Sequence, residues 1–430
     1  MKSGLGMAGS YYAATAAPTT ARAPLQGALS VDLCVIGGGC TGLAAALFAA
    51  ERGYKVALLE AGRLGCGASG RNGGQIIPGL RQGPLALVKR FGAPTARQLF
   101  TLAVSARTLV ADLIRTHAID CDLVLEGHLH VWAQSRQQDA AKADAECAAA
   151  LLDYPYFSLL SRRELAAELD SDAYCGGLLD SRGGHFHPLN YALGLAAAAA
   201  RAGVSLFENS PVLGLRHDTK VVARTAAGSV TARYGVLACD ALLGRLQDSL
   251  ASRIIAITSH IVATIPLPAE MALIPRNRAI SDSQVSVNYF RMTADRRLLF
   301  GGGERIWPFA ATDIAALVRK PLARVFPQLA KVEIAQAWGG QVAITRNRLP
   351  DIGRIGPLFY AQGYSGQGAI LSSLAGKLMA DAMAGTAEQF DLMGRLAPQP
   401  FPGGRTLRTP LHLLGMLCSA FRDRMGMGDG

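Results

Sequence analysis

The chain has 430 residues, which corresponds to roughly two or three domain-sized units and is ample for a large hydrophobic core. Half of the residues are hydrophobic and 17% are charged, a composition that excludes a disordered chain. The net charge is +11, but the basic residues are scattered, in nothing longer than pairs such as Arg162-Arg163. We therefore attribute the charge to solubility and an anionic cofactor and expect no nucleic-acid partner, which would need a basic stripe.

Cysteine usage and hydropathy indicate the compartment. Eight cysteines occur and none forms a CxxC pair, which argues against a zinc knuckle. A chain of this size does not need disulfides, and the pattern fits a reducing cytosol. Residues 1–30 contain no apolar stretch of about 7–15 residues, as a signal peptide requires. No run of about 18 or more apolar residues occurs. We expect a cytoplasmic protein without a transmembrane segment.

The first predicted elements are an irregular arm and a nucleotide-binding unit. Residues 1–29 form the arm, which Tyr11 and Tyr12 are expected to fasten to the body. An apolar run of strand length, residues 31–36, then leads into GGGCTG, an Ala- and Leu-rich helix, and a second apolar run that ends in an acid at residue 60. This order predicts a βαβ unit that holds a dinucleotide.

Each residue of this unit has a physical role. Gly37 permits the tight turn out of the strand, Gly39 lets the backbone approach a pyrophosphate, and Gly42 lets the helix pack closely on the strand. The helix N-terminus offers N–H groups and a partial positive charge to the phosphates. Glu60 is placed to accept hydrogen bonds from the ribose hydroxyls of the adenosine.

A second glycine-rich loop, GASGRNGGQ at residues 67–75, follows the acid directly. The first motif does not separate NAD from FAD. A nicotinamide dehydrogenase usually continues into further βα units, so this loop favours FAD.

Residues 85–150 are predicted to be mainly helical, because apolar residues recur at intervals of three and four residues. A strand-like piece at 123–132 interrupts them and carries His128 and His130 on one face. A metal could use such a pair, but without a third ligand in view packing or exposure is favoured. Ser161 and Glu164 predict a capping box at the start of a short helix, 161–169.

The next stretch is predicted to alternate between strands and a helix. GGHFHPLN at 183–190 leads into a helix at 191–202 and a strand at 204–207. Residues 221–226 and 229–232 resemble a hairpin that turns at Ala227-Gly228, and 234–239 is a further buried strand. From 254 to 332 the pattern alternates as in a sheet.

The last third of the chain is predicted to return to the nucleotide domain. Residues 332–345 cross back, and GYSGQG at 363–368 forms a loop between a strand and a helix at 369–383. Residues 411–425 predict an amphipathic helix; docking on the body is favoured over a membrane-surface role.

These elements predict an α/β fold: a Rossmann-like FAD-binding domain interleaved with a mixed-sheet, α+β substrate domain. The predicted segments are an N-terminal arm (1–29), FAD-binding parts at 30–84, 183–250 and 335–395, substrate-domain parts at 85–182 and 251–334, and a C-terminal tail with the amphipathic helix (396–430).

Several motifs together resemble a known family. GGGCTGL, LLEAGRLGCGASGRNGGQ, GGHFHPLN, GYSGQG and PFPGGRTLR look like those of the gamma-glutamylputrescine oxidase family, within the FAD-dependent D-amino-acid-oxidase-like superfamily that includes glycine and sarcosine oxidases. The similarity spans nearly the whole chain. It implies FAD and a small-molecule amine substrate. A cysteine that anchors FAD covalently in some relatives is missing near TRNRLPD, so the expected FAD is non-covalent.

The resemblance also assigns residues. Val212 would contact the adenine through its backbone, and Asp240 departs from a glycine-containing pattern in related flavoproteins. The family's HP turn lies near the flavin, which makes His187 a catalytic candidate. Independently of the resemblance, Tyr289 and Arg291 are candidates because they alternate on one face of a predicted strand: Tyr289 would pack on the amine and Arg291 would pair with a substrate carboxylate, with Arg346 and Arg71 as further candidates. A structural role is equally compatible with each of these residues. The expected FAD-binding residues are Gly37, Gly39, Cys40, Thr41, Gly42, Glu60, Ala61, Arg63, Ala68, Ser69, Gly70, Arg71, Asn72, Gly73, Gly74, Gln75, Val212, Gly363, Tyr364, Ser365, Gly366, Gln367 and Gly368.

Three functions remain open on the sequence. The first is an amine oxidase that converts the primary amine of gamma-glutamylputrescine, or a similar amine, to an aldehyde with release of ammonia and H₂O₂. The second is an amino-acid dehydrogenase that passes electrons to a quinone or carrier instead of O₂. The third is a non-redox flavoprotein with structural FAD. No metal is expected, and the oligomeric state is left open.

Overall fold

The computed structural model describes residues 9–284, 286–306, 312–403 and 410. The predicted amphipathic helix at 411–425 lies outside the described residues. The helices are α1 (Tyr11–Ala14), α2 (Cys40–Glu51), α3 (Pro84–Phe91), α4 (Ala93–Thr116), α5 (Gln137–Leu151), α6 (Arg162–Leu165), α7 (Pro188–Arg201), α8 (Asp248–Ala251), α9 (Ile314–Val325), α10 (Gly368–Met383) and α11 (Glu388–Gly394).

The strands belong to two large sheets and one two-stranded ribbon. They are β1 (Gly27–Ile36), β2 (Val56–Leu59), β3 (Gln75–Ile76), β4 (His128–Trp132), β5 (Phe157–Ser161), β6 (Gly176–Asp180), β7 (Gly184–His185), β8 (Ser205–Phe207), β9 (Gly214–His217), β10 (Val221–Arg224), β11 (Gly228–Leu237), β12 (Ile254–Thr264), β13 (Ala279–Asp282), β14 (Tyr289–Met292), β15 (Leu298–Ile306), β16 (Ile334–Thr345), β17 (Asp351–Ile355) and β18 (Leu358–Gln362).

The first sheet has the order β17-β18-β11-β1-β2-β8, and β1 runs parallel to both β2 and β11. Its central strands are apolar on both faces because each face is covered: α2 packs against α10 and α7 on one side. Ile36 lies opposite Leu59 and Leu237. The carboxyl ends of three parallel strands therefore meet at one edge, where ligands bind in open α/β sheets.

The second sheet has the order β16-β12-β15-β14-β13-β4-β6-β5 and is antiparallel except for the pair β13–β4. Phe290 and Phe300 on one face pack with Val318 and Leu322 of α9. The opposite face carries Tyr289 and turns toward the first sheet, because Tyr289 packs against Gly73. The predicted α/β fold with a mixed second sheet is confirmed.

Two details differ from the predicted elements. One strand, β11, contains both the second arm of the predicted hairpin and the predicted strand at 234–239. Strand β1 pairs with it from Gly228 to Leu237 at every position except Asp32. The strand Ile334–Thr345 pairs with β12 along its whole length and so lies in the second sheet. The predicted domain boundary between residues 334 and 335 would instead place this strand in the domain of the first sheet. The remaining domain boundaries stay predictions.

The N-terminal arm is fastened as expected. Ser10 caps the short helix α1, accepting a hydrogen bond from the Ala13 N–H. Tyr11 and Tyr12 are buried, and the Tyr11 hydroxyl donates to Asp295 at 2.8 Å. The predicted capping box at Ser161 and Glu164 is also present. Within the described ranges, no helix combines the length and the apolar character that a membrane crossing requires.

Candidate flavin and substrate site

The turn after β1 can be built only from glycine. Gly37 has φ of +110°, and a Cβ there would lie 2.5 Å from the carbonyl oxygen of Ala238. A Cβ on Gly42 would lie 2.0 Å from the carbonyl oxygen of Gly37. Helix α2 then begins at Cys40, and its N-cap, Gly39, supplies no capping side chain. The N-terminus therefore keeps donors for an anion such as a pyrophosphate.

Glu60, at the end of β2, is fixed beside this turn. Its Oε2 accepts a hydrogen bond from the Gly38 N–H at 2.7 Å, and its Oε1 accepts one from the Gly62 N–H at 2.8 Å. A carboxylate oxygen can accept more than one hydrogen bond, so both oxygens keep capacity for a ribose hydroxyl. The neighbouring Arg63 instead pairs with Glu208, at 3.0 Å.

The second glycine-rich loop closes over the start of α2. The Ser69 hydroxyl accepts a hydrogen bond from the Cys40 N–H at 2.9 Å. The Asn72 amide donates to the carbonyls of Ala68 and Ser69 and accepts from the Gly74 N–H. These contacts bring the two predicted phosphate-binding loops together and fix the shape of the second.

Arg71 connects this loop to the second sheet. Its guanidinium donates to the carbonyls of Cys66 at 2.8 Å and Gly339 at 3.1 Å, and the Trp338 indole N–H donates to the Arg71 carbonyl at 3.0 Å. Burial lowers the pKa of Arg71. The sequence interpretation missed Trp338, because only the sheet pairing places it beside the loop.

The loop before α10 turns sharply through residues with positive φ: Gly363 (+70°), Ser365 (+53°) and Gly366 (+97°). Asp240, which departs from the family's glycine-containing pattern, has a role in holding this loop. Its carboxylate accepts a hydrogen bond from the Gly363 N–H at 2.8 Å. Burial raises the pKa of Asp240. Gln367 is the N-cap of α10 and makes no capping hydrogen bond.

The side-chain oxygen of Gln367 is a buried acceptor without a hydrogen-bond partner among the described residues. Such an atom usually has a partner in the complete molecule, since an unmade buried hydrogen bond is costly. The backbone N–H and C=O of Val212 likewise bond to no other described residue. Together with the glycine turn, these groups fit an FAD that lies across the edge of the first sheet.

The thiols near this site do not suggest covalent attachment. Cys66 is buried, its Sγ lies 3.7 Å from Oε1 of Glu60, and burial raises the pKa of its thiol to about 12. Burial also raises the pKa of the Cys40 thiol, to about 11. Since the thiolate is the nucleophile, neither cysteine is activated at neutral pH.

His187, a predicted catalytic residue, has both ring nitrogens engaged. Nδ1 accepts a hydrogen bond from the Asn190 N–H at 3.1 Å and so caps α7. Nε2 lies 3.0 Å from the Thr15 hydroxyl, which itself donates to the Tyr11 carbonyl. The network assigns the proton to Nε2. Burial, and then the charge of Arg291, lower the pKa of His187 to about 4.

Arg291 donates to backbone carbonyls rather than lying free for a ligand. Its donors reach the carbonyls of Gly73 (2.7 Å), Phe186 (3.0 Å) and Met292 (3.1 Å) and the Tyr12 hydroxyl (3.4 Å). Four of the five N–H groups of a guanidinium are thus used. Arg291 thus has a structural role, and one N–H group is left for the predicted pairing with a substrate carboxylate, which stays a prediction.

Tyr289, a predicted substrate residue, lies between the second sheet and the glycine-rich loop at Gly73. Its hydroxyl lies 2.9 Å from the Ser259 hydroxyl. Its ring fits against two glycines: a Cβ on Gly301 would lie 2.1 Å from the ring, and one on Gly73 would lie 2.9 Å from it. Burial raises the pKa of Tyr289, so the phenol is neutral. Gln75, beside it, donates to the carbonyls of Ile280 and Phe290.

The His128 and His130 pair has a packing role. Nε2 of His128 and Nδ1 of His130 lie 3.0 and 3.3 Å from the Ser281 hydroxyl. Burial lowers the pKa of His128 to about 3 and that of His130 to about 4. The described residues contain no group of three possible metal ligands. A surface groove of about 750 Å³ between α4 and α11 contains none of the predicted site residues.

The fold and the glycine-rich edge define a flavoprotein oxidoreductase. The family described as FAD dependent oxidoreductase (DAO) matches residues 32–382, and the chain belongs to this family.

Named relatives cover almost the whole chain. It is 39% identical over 422 residues to gamma-glutamylputrescine oxidoreductase of Escherichia coli K12, covering 97% of this chain and 99% of that protein. It is 36% identical over 417 residues to the probable oxidoreductase OrdL of Rhizobium meliloti, covering 96% and 97%. The crystal structure of glycine oxidase from Geobacillus kaustophilus has the same fold, with a TM-score of 0.73, 24% identity, and coverage of 87% of this chain and 100% of that one.

Proposed function

We propose that the protein oxidises the primary amine of gamma-glutamylputrescine, or of a similar gamma-glutamyl-linked amine, to the aldehyde. The observation that carries this proposal is the 39% identity to gamma-glutamylputrescine oxidoreductase, which extends over 97% of the chain and 99% of that relative. The narrower motifs GGHFHPLN and PFPGGRTLR, which resemble the same family, support it.

The proposed overall reaction is RCH₂NH₂ + H₂O + O₂ → RCHO + NH₃ + H₂O₂. Bound FAD supplies the two-electron chemistry that no protein side chain can provide. The carbon that bears the amine loses two electrons. The oxygen of water replaces the nitrogen on this carbon, the nitrogen leaves as ammonia, and O₂ takes up the two electrons and becomes H₂O₂. Non-covalent FAD, O₂ as acceptor and a cytoplasmic location belong to this proposal.

The chain's own residues position the cofactor. We assign the pyrophosphate to the glycine turn and the N-terminus of α2, the ribose to Glu60, and the flavin ring to the space between the Gly73–Gly74 segment and the start of α10. A helix N-terminus at that place stabilises negative charge on a reduced ring.

The substrate side of the site is assigned to the second sheet. Tyr289 and Ser259 offer neutral hydroxyls that can orient the reacting amine. Arg291 and His187 are assigned to holding the loops, since their polar atoms are already engaged.

Anaerobic reduction of the flavin tests the proposal. The purified protein is mixed with gamma-glutamylputrescine, putrescine, glycine or sarcosine, and loss of the yellow absorbance is followed. Gamma-glutamylputrescine should bleach the flavin fastest. A preference for glycine or sarcosine would overturn the substrate assignment, and bleaching by none of the amines would overturn the enzymatic proposal. In air, H₂O₂ should form in equal amount to the aldehyde; aldehyde without H₂O₂ in the presence of a quinone would indicate a dehydrogenase instead.

A further inference from the structure

The inner face of the second sheet carries a polar row that the cofactor assignment does not use. Ser281 lies opposite His130 on β4 and opposite Tyr289 on β14. Tyr289 in turn lies opposite Gly301 on β15. Directly opposed residues point to the same face of a sheet. The face that meets the Gly73 loop therefore continues from Tyr289 to Ser281 and the histidines.

An irregularity in β15 adds a carboxylate to this face. His260 pairs with Gly302, whereas Thr258, two residues earlier, pairs with Arg305, so β15 contains one extra residue. An extra residue reverses the alternation of side chains beyond it. Glu304 therefore lies on the same face as Gly301 and Tyr289, and Arg305 lies on the other face.

Two arginines lie on loops that a hydrogen bond joins to each other. Nε2 of Gln82 donates to the carbonyl of Asn347 at 2.7 Å, which fixes the loop after β3 to the loop after β16. Arg81 and Arg348 flank this hydrogen bond, one on each loop. Arg348 has φ of +59°, a conformation that a non-glycine residue adopts only when its surroundings hold it there.

The three charges interact but are not paired. Burial raises the pKa of Glu304, and Arg81 and Arg348 oppose that rise. Burial, and then Arg81, lower the pKa of Arg348. Across residues 9–284, 286–306 and 312–403, the structure contains no hydrogen bond or ion pair from the side chains of Arg81, Arg348 or Glu304. Two cations and one anion thus interact electrostatically, and no described residue occupies their polar side-chain atoms.

We propose that Arg81, Arg348 and Glu304 form a subsite for the free α-amino-acid end of the substrate. The two guanidinium groups would bind the α-carboxylate, for which their planar donors are suited, and Glu304 would bind the α-ammonium. The inference rests on the proposed oxidation of a gamma-glutamyl-linked amine, because that substrate carries both charges at the end remote from the reacting amine. Free putrescine carries only an ammonium there.

Binding of a ligand that cannot react separates recognition from catalysis. Gamma-glutamylbutylamide keeps the amino-acid end and lacks the reacting amine. Two analogues each lack one charge: glutarylbutylamide has no α-ammonium, and the α-carboxamide of gamma-glutamylbutylamide has no carboxylate. Their dissociation constants for the FAD-loaded enzyme are measured by isothermal titration calorimetry, in the wild type and in the variants Arg81→Gln, Arg348→Gln and Glu304→Gln.

The expected pattern is specific to each charge. Either arginine variant should weaken gamma-glutamylbutylamide about 10- to 100-fold and leave the carboxamide within about twofold, as the loss of a hydrogen bond to a charged group predicts. Glu304→Gln should weaken gamma-glutamylbutylamide and not glutarylbutylamide. Arg305→Gln, on the same strand but the opposite face, is the matched control and should change nothing. Equal weakening of all three ligands, or none, would overturn the subsite.

Failure of this inference is distinguishable from failure of the proposed function. If N-acetylputrescine, which has neither distal charge, reduces the wild-type flavin as efficiently as gamma-glutamylputrescine, the subsite is wrong while amine oxidation stands. If neither reduces the flavin but the ligand affinities follow the expected pattern, the subsite stands and the reaction is wrong. Unchanged FAD content and melting temperature in the variants confirm that folding does not cause the differences.

Discussion

The hydroxyl of Tyr364 lies 2.8 Å from the hydroxyl of Thr41, and both groups are buried. This contact joins the loop before α10 to the first turn of α2, so the segments assigned to the flavin ring and to the pyrophosphate are directly connected. Burial raises the pKa of Tyr364, so the phenol is protonated at neutral pH.

Removing this contact should loosen cofactor binding as well as the fold. We expect Tyr364→Phe and Thr41→Val each to lower the free energy of unfolding by about 0.5–1.5 kcal/mol, with a larger cost where the remaining hydroxyl stays buried and unpaired. The double variant should lose less than the sum of the two, because both singles break one interaction. Chemical denaturation of the four proteins measures this. Additive losses would show that the two hydroxyls do not stabilise each other.

Glu60 should contribute directly to FAD affinity. We expect Glu60→Ala to weaken FAD binding by about one to two decades, since hydrogen bonds to a charged group contribute roughly 1.5–3 kcal/mol. Because the carboxylate also accepts from the Gly38 and Gly62 N–H groups, the apoprotein should also lose some stability. Flavin fluorescence titration of the deflavinated protein measures the affinity. The FAD affinity of Glu60→Gln, which keeps one acceptor oxygen, should lie between the affinities of the wild type and of Glu60→Ala. Unchanged affinity in both variants would contradict the ribose assignment.

FAD should be extractable from the protein. The missing attachment cysteine and the raised thiol pKa of Cys66 both predict non-covalent binding. Acid precipitation should therefore leave the yellow colour in the supernatant, and Cys66→Ser should retain the wild-type flavin content. Colour that stays with the precipitated protein would show the assignment to be wrong.

Arg291 should stabilise the loops and should not select the substrate. In Arg291→Ala, the carbonyls of Gly73, Phe186 and Met292 lose a donor, and an unsatisfied buried acceptor costs about 1–3 kcal/mol. We expect a lower melting temperature and weaker FAD retention. The ratio of flavin reduction rates with gamma-glutamylputrescine and N-acetylputrescine should stay unchanged. A collapse of that ratio in an otherwise stable variant would restore Arg291 as the carboxylate partner.

The local parts of the site were predictable from sequence, because their chemistry is local. Gly37 and Gly42 must be glycine for reasons that lie within one turn of chain, and Glu60 follows at the spacing of a βαβ unit. The loop before α10 follows the same logic: positive φ values at Gly363 and Gly366 suit glycine.

The parts that depend on distant contacts were not predictable in this way. Arg291 alternates with Tyr289 as a substrate residue would, but its partners Gly73, Phe186 and Tyr12 come from three remote segments. The extra residue in β15 changes the face of Glu304 without a mark in the periodicity. The strand Ile334–Thr345 resembles a crossover between domains because both sheets are apolar; only its pairing with β12 assigns it.

The neutral state of His187 predicts a loss of stability in acid. Its pKa is about 4 in the folded protein against 6.5 for an unperturbed histidine, so the unfolded chain binds more protons between these values. Stability then rises with pH across that window: the contribution is fully present above about pH 6.5 and is lost as the pH falls toward 4.

In His187→Asn, the new side chain can still cap α7 but cannot titrate. We expect the free energy of unfolding, measured by denaturant at half-unit steps from pH 7.5 to 4.5, to fall less steeply below pH 6.5 in this variant. The buried His128, His130 and His185 titrate in the same direction and leave a residual slope in both proteins. Identical slopes would mean that folding does not lower the pKa of His187.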